Sequence, residues 1–70
     1  MKSENLIGGL QKEMNRVREI ITVYDEIPNN AGVFASLMMK ESIKNAEKQI
    51  ASGDTIEMIK AFHDLQGYDY

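Results

Sequence analysis

Six apolar residues, Ile7, Leu10, Met14, Val17, Ile21 and Tyr24, recur at intervals of 3, 4, 3, 4 and 3. A seven-residue period of this kind lines up along one face of an α-helix. A strand cannot use it, because successive strand side chains point to opposite faces. Leu6, Ile20 and Ile27 hold the flanking position of the same repeat and widen the stripe. Lys12, Glu13, Asn15, Arg16, Arg18 and Glu19 fall outside it, where Glu13 and Arg16, or Arg16 and Glu19, are spaced to pair. Helix 1 is therefore expected over about residues 4–26, with Ser3 as its cap. Gly8 and Gly9 each cost ~1 kcal/mol of helix propensity relative to Ala, so the first turns are expected to fray or bend.

Pro28 ends this helix, since it has no amide to donate and its ring pushes Ile27 into an extended conformation. Asn29, Asn30 and Gly32 then make a turn, and either asparagine can cap the next helix. Helix 2 is expected over about residues 31–52. Its first half is apolar on more than one face (Val33, Phe34, Leu37, Met38, Met39), and its second half narrows to Met39, Ile43, Ala46 and Ile50. The small residues Ala35, Ser42 and Ala46 would let another helix approach. Gly53 suits a left-handed stop, and Asp54-Thr55-Ile56-Glu57 has the form of an acidic capping box. Helix 3 is expected over about residues 55–66, facing inward with Ile56, Met58, Ile59, Phe62 and Leu65. Gly67 ends it and Tyr68-Asp69-Tyr70 forms a tail. Short connections make consecutive helices antiparallel neighbours. The fold expected for residues 1–70 is a single small all-α domain, a three-helix antiparallel arrangement in which a long helix 1/helix 2 hairpin carries a shorter third helix packed back on it.

Composition excludes most chemistry. Eight Lys+Arg against 11 Asp+Glu leave a net charge of -3, which does not draw the chain to phosphates. With no cysteine, thiolate metal sites, disulfides and Cys nucleophiles are absent, and a reducing cytoplasmic setting is expected. No stretch reaches the ~18 apolar residues of a membrane span. The one histidine, His63, lies at the edge of the helix 3 stripe beside Asp64 with no readable nucleophile or orienting partner, and reads as a surface or boundary residue. Asp25-Glu26-Ile27-Pro28-Asn29-Asn30 is rich in oxygen donors, but Ile27 and Pro28 break the alternation a calcium loop needs. No catalytic set, cofactor motif or metal cluster is expected, and the chain is not expected to be an enzyme.

Two local patterns invite comparison. Around Ser52-Gly53-Asp54 a helix, a glycine turn and a helix follow one another as in a DNA-binding helix-turn-helix. However, Lys48, Ser52 and Asp54 stand where that motif buries apolar residues, and Asp54, Glu57 and Asp64 outweigh Lys60 on the second helix. The ten residues Gly53 to Phe62 resemble the turn and second helix of a tetratricopeptide repeat. Ser42, Asn45, Gln49 and Met58 depart from that repeat, and one hairpin is not an array, so the likeness reads as a shared way of starting an amphipathic helix.

The remaining signal is an apolar surplus. Chains below ~70–80 residues hardly offset their ordering entropy by burial alone, yet Leu6, Ile20, Val23 and Ile27 of helix 1 and Val33, Phe34, Leu37 and Met38 of helix 2 exceed what two neighbouring helices readily cover. The expected function is a small protein–protein interaction or regulatory module acting as a homodimer, with self or another protein as partner. Its interface residues are expected to be Leu10, Met14, Val17, Ile21 and Tyr24 along the seam, with Phe34, Leu37 and Met38 as the exposed patch. One alternative is weak nucleic-acid binding by the basic ridge Lys40, Lys44 and Lys48 with Lys12, Arg16 and Arg18. Another is a ligand or enzyme site at a dimer interface using His63 and Tyr24.

Overall fold

The computed structural model describes residues 3–69, apart from the side chains of Ser3, Glu4 and Asn29. It is all-α, with three helices in mutual contact: α1 (Ser3–Asp25), α2 (Val33–Ser52) and α3 (Thr55–Gln66). The expected Ser3 cap lies outside the described residues. At 1.5 Å per residue α1 and α2 run ~30–35 Å and α3 only ~18 Å, within a body whose long axis is 43 Å.

The heptad pattern of α1 works as read, with one rotation. Leu10, Met14, Val17 and Ile21 are buried, but so are Leu6 and Ile20 on the flank, whereas Ile7 and Tyr24 are only partly covered. A helix that must meet two neighbours needs this broader stripe. Gly8 and Gly9 do not interrupt the helix. A Cβ at Gly9 would lie 3.5 Å from the Phe62 ring, an ordinary contact, so α3 packs here without requiring glycine.

The turn after α1 differs in detail from expectation. Ile27 is extended, as its proline neighbour demands, and Pro28–Asn30 form one 3-10 turn. Asn30 takes the left-handed region at φ 62°, which asparagine tolerates. Gly32 occupies the N-cap position of α2, where no side chain caps the helix, and α2 starts two residues later than expected. The glycine has a steric cause: a Cβ at Gly32 would collide with the Tyr24 carbonyl. The second turn is as read. Gly53 is left-handed at φ 73°, and the Asp54 carboxylate accepts from the Glu57 amide at 3.1 Å. Glu57 does not close the box; it pairs with Lys60 at 3.4 Å, and the Asp54 amide donates to the Ser52 hydroxyl.

Met58, Ala61 and Leu65 of α3 close over Met39, Ile43 and Ala46 of α2 and the α1 stripe, one apolar cluster without strands among the described residues. Ile56 and Ile59, expected to face inward, are exposed because the contact stripe of α3 is the narrower Met58, Ala61, Leu65 line. The C-terminal segment is not a loose tail. Tyr68 packs on the core and its hydroxyl lies 2.9 Å from that of Ser42.

Candidate functional site

Arg16 ties the end of the third helix to α1. Its guanidinium donates to the carbonyls of Leu65 (3.0 Å) and Tyr68 (2.8 Å), and pairs with Glu13 at 3.1 Å. A cation on the last carbonyls of a helix satisfies groups that have no partner within it. The expected Arg16–Glu19 pair gives way to this cap. Tyr68 marks the same level on α2, where its hydroxyl donates to the Met38 carbonyl at 3.4 Å. Beyond that level the α1/α2 hairpin continues without a third helix.

Of the expected apolar surplus, Leu6 and Ile20 are buried and the rest is exposed on this two-helix tip. Phe34 is 76% exposed, Leu37 58% and Met38 48%, with Val33 on the same side of α2, and Val23 and Ile27 are exposed on α1 and the turn after it. Ile56 and Ile59 of α3 are exposed at the other end. On α2 the residues Val33, Phe34, Leu37 and Met38 occupy the side opposite Ser36, Met39 and Ile43, which face the core. From Ile27 to Met39 the sequence contains no charged residue. The other expected interface residues behave differently. Leu10, Met14, Val17 and Ile21 are buried in the chain's own core and Tyr24 is half-buried against it. The seam is filled by α2 and α3 of the same chain, so it is core and offers no surface to a second molecule.

A polar clasp holds the tip closed. The buried Ser36 hydroxyl donates to the Asp25 carboxylate at 2.5 Å, and Lys40 reaches the same carboxylate at 3.4 Å. The Ser36 hydrogen bond, helped by Lys40 and opposed by partial desolvation, holds the Asp25 carboxyl below its ordinary value. Asp25 lies in the last turn of α1, where the helix dipole disfavours a negative charge. The Ser36 and Lys40 donors offset that cost.

The rival readings find less support. Lys40 is engaged by Asp25, Arg18 by Asn15 at 2.9 Å and Glu47 at 3.8 Å, and Arg16 by Glu13 and α3. Half of the proposed basic set is thus neutralised within the chain, leaving Lys12, Lys44 and Lys48 as exposed cations. Lys48, Ser52 and Asp54 are exposed, unlike the buried positions of a helix-turn-helix. His63 is exposed and meets the Phe62 ring edge-on, at 6.0 Å between centroids. It borders an open cleft of about 330 Å³ lined by Asn5, Leu6, Gly9, Ile59 and Phe62. Tyr24 lies fifteen residues along α1 from Gly9, ~22 Å away, so the two residues considered for a joint site are at opposite ends. No group of three metal-ligating side chains occurs among the described residues. Among the described residues no helix is long and apolar enough to cross a membrane.

Comparison with protein-family models, with curated proteins and with solved structures returned no match.

Two residues, Ser36 of the tip and Tyr68 at the end of α3, escaped the sequence reading. Ser36 reads as a neutral helix residue, and only its position eleven residues after Asp25, across an antiparallel turn, hints at the clasp. Tyr68 follows Leu65 by three residues and so continues the α3 stripe past Gly67, a signal that was present in the spacing.

Proposed function

We propose that this chain is a protein–protein interaction module that acts as a homodimer, docking through the face of the hairpin tip formed by Phe34, Leu37 and Met38 with Val33 beside them. The observation that carries this reading is the size and character of the surface. These four residues share one side of α2 and expose roughly 400 Å² of side chain, within the ~300–600 Å² of the largest patch on a typical monomer. A standard interface takes ~800 Å² from each partner, and in homodimers ~65% of it is apolar. One such face therefore supplies most of the apolar area that one side of such a dimer requires.

A second copy fits this face: the Val33–Met39 stretch of α2 carries no charge, so a two-fold contact made there sets no like charges directly against one another, although two chains of net charge -3 repel elsewhere on their surfaces. The second hairpin would then cover the part of the first that α3 leaves open.

Light scattering on Phe34→Glu and Leu37→Glu variants tests the reading. The unchanged chain is expected to associate in the micromolar range. Each variant is expected to remain monomeric with unaltered helix content, because neither side chain contributes to the core. Variants that associate as strongly as the unchanged chain would refute the assignment of this surface.

A further inference from the structure

Sulfur is distributed unevenly in this molecule. It has no cysteine, so thiol chemistry does not compete for oxidants. Met14, Met39 and Met58 are buried, Met39 at 1%, whereas its neighbour Met38 is 48% exposed. Among the described residues Met38 is thus the one thioether open to solvent, and it sits one turn from Phe34 and next to Leu37 on the docking surface.

We propose that Met38 is a modification site at which peroxide controls association of the chain. This inference rests on the docking reading of the same surface. A lone pair of the Met38 sulfur attacks one oxygen of hydrogen peroxide. The S–O bond forms as the O–O bond breaks, the proton of the transferred hydroxyl passes to the departing oxygen, and water leaves. Sulfur is oxidised by two electrons and peroxide is reduced by two. Return to the thioether takes two thiols supplied by a sulfoxide reductase, which become a disulfide while the oxygen leaves as water.

The sulfoxide is a strongly polar group set in a patch that otherwise presents Val33, Phe34 and Leu37. Burying it against a second apolar tip leaves its oxygen without a donor, which opposes association. In the dimer Met38 is covered, so attack proceeds through the free subunit. Oxidation is then slower at higher protein concentration.

The experiment treats the full chain with hydrogen peroxide, maps each methionine by peptide mass spectrometry and measures mass by sedimentation. Met38 is expected to be oxidised ahead of Met14, Met39 and Met58. The oxidised chain is expected to keep its helix content and to dimerise about tenfold or more less tightly. A Met38→Leu variant, which keeps the apolar volume, is expected to dimerise and to be insensitive to the same treatment. Oxidation spread evenly over all methionines, or an oxidised chain that pairs as tightly as before, would overturn the inference while leaving the docking reading intact. An unoxidised chain that stays monomeric at every concentration would remove the docking reading, and the control by Met38 with it.

Discussion

The two ends of this molecule solve the same burial problem with different numbers of helices. From Leu6 to about Val17 on α1, three helices surround Leu10, Met58, Ala61 and Leu65, which are almost wholly covered. Beyond the Arg16 cap only α1 and α2 remain. They bury Ile20 and Ile21 but leave Val23, Ile27, Phe34, Leu37 and Met38 in solvent. The closed end is held by apolar packing, whereas the tip is fastened by Ser36, Asp25 and Lys40. A short third helix thus sets the division on the hairpin: the stripe it covers is core, and Phe34, Leu37 and Met38 beyond it stay exposed.

The contrast is sharpest in side-chain truncation. Leu65→Ala, at the closed end, is expected to lower unfolding free energy by ~2–5 kcal/mol, the range for a buried leucine that leaves a cavity. Leu37→Ala at the tip is expected to change the stability of the monomer by less than ~0.5 kcal/mol, as for other surface positions. Urea denaturation at low protein concentration measures both, and equal losses would erase the division. Arg16→Ala follows, at ~1–2 kcal/mol for the loss of charged hydrogen bonds to the end of α3. Hydrogen exchange should rise at Leu65, Gln66 and Tyr68 while the amides of α1 and α2 at the tip are unaffected.

Smaller effects probe each end separately. Gly8→Ala is expected to stabilise the chain by ~0.5–1 kcal/mol, because the residue is helical and a Cβ there meets nothing. Thermal unfolding would show it, and a loss of stability would mean that α1 needs its glycine. Acid weakens the tip by the least. Asp25 has a folded-state value held below the ordinary carboxylate value of 3.8. Its contribution is therefore present in full above that value and is lost as pH falls through the lower folded-state value. The group is solvent-accessible, so the effect is small. Asp25→Asn should flatten the acid limb of the pH–stability curve, and an unchanged limb would remove Asp25 from the clasp.

Much of the architecture was legible because it is written in spacing. The α1 stripe, the Pro28 stop, the Gly53 and Asp54 turn and the bounds of α3 all follow from local chemistry that tertiary contacts do not override. The start of α2 did not, since Gly32 is required by the approach of the turn to the Tyr24 carbonyl, a contact between residues eight apart that no propensity records. The reach of α3 was equally hidden. Its length was readable, but not that the Leu65 and Tyr68 carbonyls at its end would meet Arg16 of α1 at that level of the hairpin. The seam and the patch look alike in sequence because both are runs of large apolar residues, Leu10, Met14, Val17, Ile21 and Tyr24 in one and Phe34, Leu37 and Met38 in the other, and only the packing of the helices separates them into core and surface.

Sedimentation equilibrium of the unchanged chain, from low to high micromolar concentration, tests the central claim most directly. The account predicts an apparent mass that rises from 7.9 kDa toward twice that value as the tips come together. A mass that stays at 7.9 kDa throughout would contradict it.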